Sequence, residues 1–202
     1  MPFELLETMR WTPRDGWYLL DRHLARLEAS AHHFQFVYSP GQTRDALDRA
    51  VRSADTALRV RLLLTEDGAI RVEQMPLARR EGVWRVRLAA DPVDPSDEFL
   101  YHKTTNRAVY ERARRPDCDD VVLWNPAGEV TETTIANLVV EVNLRRVTPP
   151  VACGLLPGTL RAELLATGQI REARVTVEEL KGAAHFWLVN SVRGWCAGTL
   201  ID

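Results

Sequence analysis

The chain has 202 residues, 46% of them hydrophobic and 27% charged, with a formal net charge of −2. That balance fits a globular fold with a real core and gives no electrostatic footprint for nucleic acid or an anionic membrane. No apolar run reaches membrane-spanning length, and the start Met1-Pro-Phe-Glu lacks the basic and apolar regions of a signal peptide. Cys118, Cys153 and Cys196 are odd in number and far apart, which predicts reduced thiols and a cytoplasmic protein. No His, Cys and carboxylate cluster has ligand spacing, so no metal is expected.

In chain order, Phe3-Glu-Leu-Leu-Glu-Thr-Met-Arg10 and Trp17-Tyr-Leu-Leu20 read as two strands joined at Pro13-Arg-Asp-Gly16. Asp21 is placed to cap a helix whose buried stripe is Leu24, Leu27, Ala31 and Phe34. A second amphipathic helix is expected over residues 43–53. A hairpin then turns at Glu66-Asp-Gly68 between strands over residues 58–64 and 69–74. These elements form an N-terminal α/β subdomain over residues 1–77, followed by a polar linker at 78–82. Residues 83–202 form a C-terminal subdomain that carries the lysine discussed next.

That subdomain opens with a strand over 83–90, and residues 104–114 have helical character ended by Pro116. Strands follow at 120–124, 137–142 and 185–190. Helices are expected at 159–167 and after the capping-box pair Thr176 and Glu179. There is no internal repeat, dinucleotide fingerprint or Walker-type phosphate loop, and the alternation of strands and helices defines an α/β (α+β) class.

Of 26 basic residues only Lys103 and Lys181 are lysine. An arginine stays protonated, whereas an ε-amine can lose its proton when desolvated and condense with a carbonyl. Lys103 lies in Tyr101-His-Lys-Thr-Thr-Asn-Arg-Ala-Val-Tyr110. Around it stand features that are ordinary when taken singly. Glu132, in a polar loop between two strands, could hold a protonated ring nitrogen. Arg26 projects beside a helix's apolar stripe and could clamp a phosphate. Gly158-Thr-Leu160 opens a helix and its anion-binding N–H groups, and Asn190-Ser-Val-Arg-Gly194 ends a strand with donors and a cation.

The order of these motifs resembles the fold-type IV pyridoxal-phosphate enzymes, the class IV aminotransferase family, with aminodeoxychorismate lyases as the most similar branch. The resemblance runs from Leu6-Glu-Thr-Met-Arg10 through Leu20-Asp-Arg-His-Leu-Ala-Arg-Leu27, His102-Lys-Thr-Thr-Asn-Arg107 and Gly128–Leu138. It continues through Leu155-Leu-Pro-Gly-Thr-Leu-Arg161 to Asn190-Ser-Val-Arg-Gly194. It implies a small N-terminal sheet-and-helix subdomain, a larger barrel-like C-terminal one, and pyridoxal 5'-phosphate as cofactor.

By the same resemblance, Lys103 holds the cofactor covalently and serves as general base, and Glu132 pairs with the pyridine nitrogen. Arg26, the backbone at Thr159 and Leu160 and the Ser191-Val192 turn bind the phosphate. Thr8 protonates the leaving group, and Arg107 and Arg193 are candidates for the substrate's carboxylates. Branched-chain aminotransferases carry a tyrosine five residues after the lysine; here that place is Ala108, so the partner of the cofactor's phenolic oxygen is open, with Tyr101 and Tyr110 nearby.

The implied reaction on a small-molecule substrate is the conversion of 4-amino-4-deoxychorismate to 4-aminobenzoate and pyruvate, a step of folate biosynthesis. The alternatives are a transaminase of the same fold acting on branched-chain or D-amino acids, and a non-catalytic domain that keeps the fold. A homodimer is implied as well. Because the chain starts abruptly at the first motif, it resembles the lyase domain fused behind a chorismate-aminating synthase, which implies such a synthase as partner.

Overall fold

The computed structural model describes residues 2–78 and 81–202. They form two compact units, one of residues up to 79 together with His102–Asn106, the other of Arg80–Tyr101 and Arg107–Asp202. The expected 78–82 linker includes Arg79 and Arg80, which lie outside the described residues.

In the first unit β1 (Leu5–Thr12), β2 (Gly16–Trp17), β3 (Leu58–Leu64) and β4 (Ile70–Pro76) make an antiparallel sheet in the order β2-β1-β3-β4. Helix α1 (Leu20–His33) packs on β1 and α2 (Pro40–Val51) on β4. The cap of α1 differs from expectation: Leu19 is the N-cap, in a left-handed conformation with φ 56°, and no side chain caps it. Asp21 lies inside the first turn, where its charge favours the helix dipole and pairs with Arg44 at 2.9 Å. Leu5, Met9, Leu27, Leu47 and Leu62 are buried between sheet and helices.

The second unit is built on an eight-stranded sheet. Its strands are β5 (Trp84–Leu88), β6 (Asp120–Trp124), β7 (Val130–Thr133), β8 (Asn137–Val142), β9 (Arg145–Thr148), β10 (Arg171–Glu172), β11 (Phe186–Asn190) and β12 (Gly194–Leu200). The order is β10-β9-β8-β11-β12-β5-β6-β7, and β7 also pairs with β8 through Glu132 and Asn137. Six strands therefore close into a ring, which removes the edges an open sheet would expose. Strand β6 buries both faces, Val122 in one apolar cluster and Val121 with Leu123 in another, so it reads as the unbroken run Asp-Val-Val-Leu-Trp.

Helices α3 (Ala108–Ala113), α4 (Thr159–Ala166) and α5 (Val177–Gly182) complete the unit. Thr176 and Glu179 form the expected reciprocal capping box of α5. Helix α3 is shorter than expected because residues 102–106 are not helical and Thr104 bridges to Leu5. They bond to β1, with Lys103 C=O accepting from Leu6 N–H at 2.9 Å and Thr105 N–H donating to Glu4 C=O at 2.9 Å. Lys103 therefore belongs to the first unit, where the sequence pattern put it with the C-terminal one.

Candidate active site

The two lysines occupy unlike settings. Lys181 is a half-exposed member of α5 whose Nζ donates to Glu178 at 2.9 Å, an ordinary surface ion pair. Lys103 is half-buried on a non-helical segment anchored at both ends. On one side Thr104 is buried, and its hydroxyl closes a turn with Asn106. On the other, the His102 ring stacks on His33 at 4.2 Å, lies edge-on to Phe34, and has Nδ1 3.0 Å from Ser30 Oγ. The chain around the amine is thereby held in one place.

Strand β1 alternates. Leu5, Glu7 and Met9 point to the helices, and all are buried, while Thr8 on the opposite face is half-buried. Thr8 is thus not part of the apolar core between sheet and helices. Glu7, 1% exposed, meets the two polar residues that α1 presents at i, i+3 spacing. Its Oε1 accepts from Arg26 Nε at 2.8 Å and its Oε2 from Arg26 Nη2 at 2.7 Å, and His23 Nδ1 lies 2.6 Å from Oε2.

Burial pushes the Glu7 carboxyl up, but the charge of Arg26, His23 and the hydrogen bonds from both outweigh it and bring the pKa down to about 2. A carboxylate that acidic has no proton to give, so His23 Nδ1 is the donor. Arg26, expected as a phosphate clamp, therefore has its guanidinium fixed in a fork around a buried carboxylate. Sequence reading missed Glu7 and His23. Their signal was a charge written between Leu5 and Met9 on the core face of a strand, which demands a partner.

In the second unit, Glu132 is in β7 and 4% exposed, a correction to the loop expected there. Its Oε1 accepts from the Tyr110 hydroxyl at 2.8 Å and from Leu156 N–H at 3.0 Å, and its Oε2 from Asn137 Nδ2 at 3.2 Å. Asn137 also donates to Leu156 C=O at 2.8 Å. A Cβ on Gly158 would fall 1.9 Å from Asn137 Oδ1, so the turn entering α4 is seated against the amide that holds Glu132. Helix α4 starts there with no side-chain cap, and Thr159 and Leu160, both buried, open its first turn. Asn137 and Gly158 thus tie the two predicted cofactor contacts together, a coupling with no signature in residue spacing.

The remaining candidates have other employment. Ser191 is buried, but Val192 N–H, expected on a phosphate, donates to Asn190 Oδ1 at 3.1 Å, and Arg193 N–H does so at 2.9 Å. The exposed Arg193 guanidinium lies 5.5 Å over the Trp84 ring. Arg107 Nη2 donates to Thr134 C=O at 2.5 Å and its guanidinium lies 4.6 Å over the Tyr110 ring. Both tyrosines near the lysine in sequence donate within the second unit, Tyr101 to Pro95 C=O at 2.6 Å and Tyr110 to Glu132. Among the described residues no group of three or more His, Cys, Asp and Glu could hold a metal ion, and no helix is long and apolar enough to cross a membrane.

The six-strand ring extended by β9 and β10, together with a small antiparallel sheet and its helices, is the fold shared with solved class IV aminotransferase structures. The chain belongs to that family, whose model, described as amino-transferase class IV, matches residues 4–201. A Schizosaccharomyces pombe protein assigned as an aminodeoxychorismate lyase is 35% identical over 91% of this chain and 84% of its own length. A Mesorhizobium loti crystal structure, assigned as an amino-acid aminotransferase, is 38% identical with a TM-score of 0.93, covering 98% of this chain and all of that one. The 4-amino-4-deoxychorismate lyase of Pseudomonas aeruginosa has the same fold, with a TM-score of 0.82 at 21% identity over 98% of this chain and 83% of that one.

Enzymes of this family work with pyridoxal phosphate, and this protein is one of them. Its own residues fit the group: the uncapped start of α4 suits a phosphate, and buried Glu132, fixed by donors, suits a basic ring nitrogen.

Proposed function

We propose that the protein is a lyase that converts 4-amino-4-deoxychorismate to 4-aminobenzoate and pyruvate, with Lys103 and Glu132 as its principal cofactor residues. The Schizosaccharomyces pombe relative, similar over nearly the whole of both chains, carries the choice of reaction. Thr8, half-buried on the face of β1 opposite Glu7, is the hydroxyl that this reading uses for proton transfer.

Lys103 would hold the cofactor's aldehyde carbon through its ε-amine, the start of α4 at Thr159 and Leu160 together with Ser191 would hold the phosphate, and Glu132 would hold the ring nitrogen, while Arg26 stays committed to Glu7. Bound there, pyridoxal phosphate supplies an electron sink next to the substrate's amine-bearing carbon. Lys103, as a free amine, would take the proton from that carbon. Thr8 would give a proton to the enolpyruvyl group as its oxygen parts from the neighbouring ring carbon, and pyruvate would leave. The ring becomes aromatic as it does so, which makes the step one-way. Arg107 serves by bracing the second unit rather than by binding a carboxylate. Arg193 is left as the exposed cation for that task.

The reading places the enzyme in folate biosynthesis in the cytoplasm, as a homodimer supplied by a chorismate-aminating synthase. The test is turnover of aminodeoxychorismate generated in situ, followed as 4-aminobenzoate and pyruvate in equal amounts. The similarity to the Mesorhizobium loti protein defines the rival outcome. Conversion of the cofactor to its amine form by alanine or a branched-chain amino acid at catalytic rate, without 4-aminobenzoate, would replace the lyase with a transaminase.

A further inference from the structure

Tyr110 lies seven residues beyond the lysine, where a partner for the cofactor's phenolic oxygen was open, yet its hydroxyl donates to Glu132 at 2.8 Å. It is 7% exposed, and everything around it restrains it. The Arg107 guanidinium covers its ring at 4.6 Å and is itself tied to Thr134 C=O. Thr134 in turn donates its N–H and hydroxyl to buried Asp120 Oδ1, at 3.1 and 2.6 Å. The turn that follows Glu132 and the ring that meets Glu132 are thus one bracket, built from α3, β6 and the β7–β8 connection.

We infer that Tyr110 is a positioning residue for Glu132: by donating to the carboxylate, it holds the proton shared between Glu132 and the cofactor's ring nitrogen on the nitrogen. The inference rests on the pairing of Glu132 with that nitrogen proposed above. A donor to a carboxylate stabilises the charged acid more than the protonated one, so each such bond moves the shared proton toward the base opposite. Tyr110 can do this at any working pH. Burial, and then the adjacent Glu132 charge, push its phenol well above the usual tyrosine range, so it remains a donor. Leu156 N–H and Asn137 act in the same direction, but only Tyr110 comes from the segment that follows the lysine, through α3.

The experiment uses the full chain loaded with pyridoxal phosphate labelled with ¹⁵N in the ring, observed by NMR, together with dissociation constants for pyridoxal phosphate and for its 1-deaza analogue, in which CH replaces the ring nitrogen. Tyr110→Phe is expected to move the nitrogen resonance toward the unprotonated form. It should also weaken pyridoxal phosphate roughly tenfold, the effect of losing one hydrogen bond to a charged group. The 1-deaza analogue, which has no proton to share, should lose less than about twofold on the same account.

Replacing Tyr110 by 3-fluorotyrosine keeps the shape and strengthens the donor, and should move the resonance the opposite way. Equal weakening of both ligands, or an unmoved resonance in both Tyr110 variants while Glu132→Ala moves it, overturns the role of Tyr110 alone. An unmoved resonance in Glu132→Ala overturns the pairing on which the role depends.

Discussion

Glu7 offers the sharpest physical test of the first unit, because its energetics can be worked out before any cofactor is considered. The carboxyl is held at about 2 against an ordinary 4.5, by a guanidinium fork and an imidazole N–H in a site 1% exposed. At about 1.4 kcal/mol per pH unit this depression is worth about 3 kcal/mol of folding stability. The folded-state value lies below the unfolded one, so the contribution is fully present above pH 4.5, declines as pH falls, and is gone below about 2. Glu7→Gln keeps the shape and removes the charge, leaving the Arg26 guanidinium, 11% exposed, without its counter-charge.

Urea unfolding of cofactor-free protein at a series of pH values, wild type against variant, isolates this term, since the other carboxylates cancel in the difference. A gap of about 3 kcal/mol at pH 7 should narrow by about 2 kcal/mol by pH 3. A gap that stays constant to within about half a kcal/mol over that range would refute the pairing, because a neutral or weakly held Glu7 has no such pH dependence.

Lys103→Arg keeps the charge but cannot condense with an aldehyde, so it should lose the covalent adduct trapped by borohydride and seen by mass spectrometry, together with turnover. Lys181→Arg should change neither. Gly158→Ala drives a methyl group to 1.9 Å from Asn137 Oδ1. Since that amide is held between Glu132 and Leu156, cofactor affinity should fall roughly tenfold and thermal stability by about 1–3 kcal/mol. Thr8→Ala should lower 4-aminobenzoate formation by roughly a hundredfold with cofactor affinity unchanged, and Thr8→Ser should restore it.

Much of the fold was legible where one face of an element is buried and the other is not. The stripe of α1, the capping box of α5 and the β3–β4 hairpin follow from local periodicity and turn residues, and the structure has them. Strands β7, β9, β12 and the two-residue β10 were not predicted. Glu132 and the threonines of β7 look like a loop because the residues are polar, but all four positions are buried, and pairing with β6 and β8 satisfies the backbone. Strands β9 and β12 carry Arg145, Arg146, Ala197 and Thr199 to the surface, and half-exposed strands of that kind have little apolar signal. Polarity misled in each case because long-range pairing, ring closure for β7 and β12 and addition to β8 for β9, decides what becomes a strand.

The candidate site was legible as residue types and illegible as partnerships. A rare lysine and an acid in the right order can be found by reading along the chain, and the structure puts Lys103 on an anchored segment and Glu132 in a buried frame. What fixes them comes from far away in sequence. His102 and Lys103 are held by Ser30, His33 and Leu6, some 70 to 100 positions earlier. Placing residues 102–106 in the first unit costs α3 its first turn, and the bridge to Leu5 with its flanking bonds to Glu4 and Leu6 recovers backbone hydrogen bonds. The same logic explains Arg26 and Arg107, which looked like surface cations offered to ligands. Each is one arm of a charge or ring contact whose other member lies on a different element, and such a contact cannot be inferred from a cation's own surroundings in sequence. A buried charge can be predicted to have a partner, as Glu7 could have been, but which side chain answers it is decided by packing.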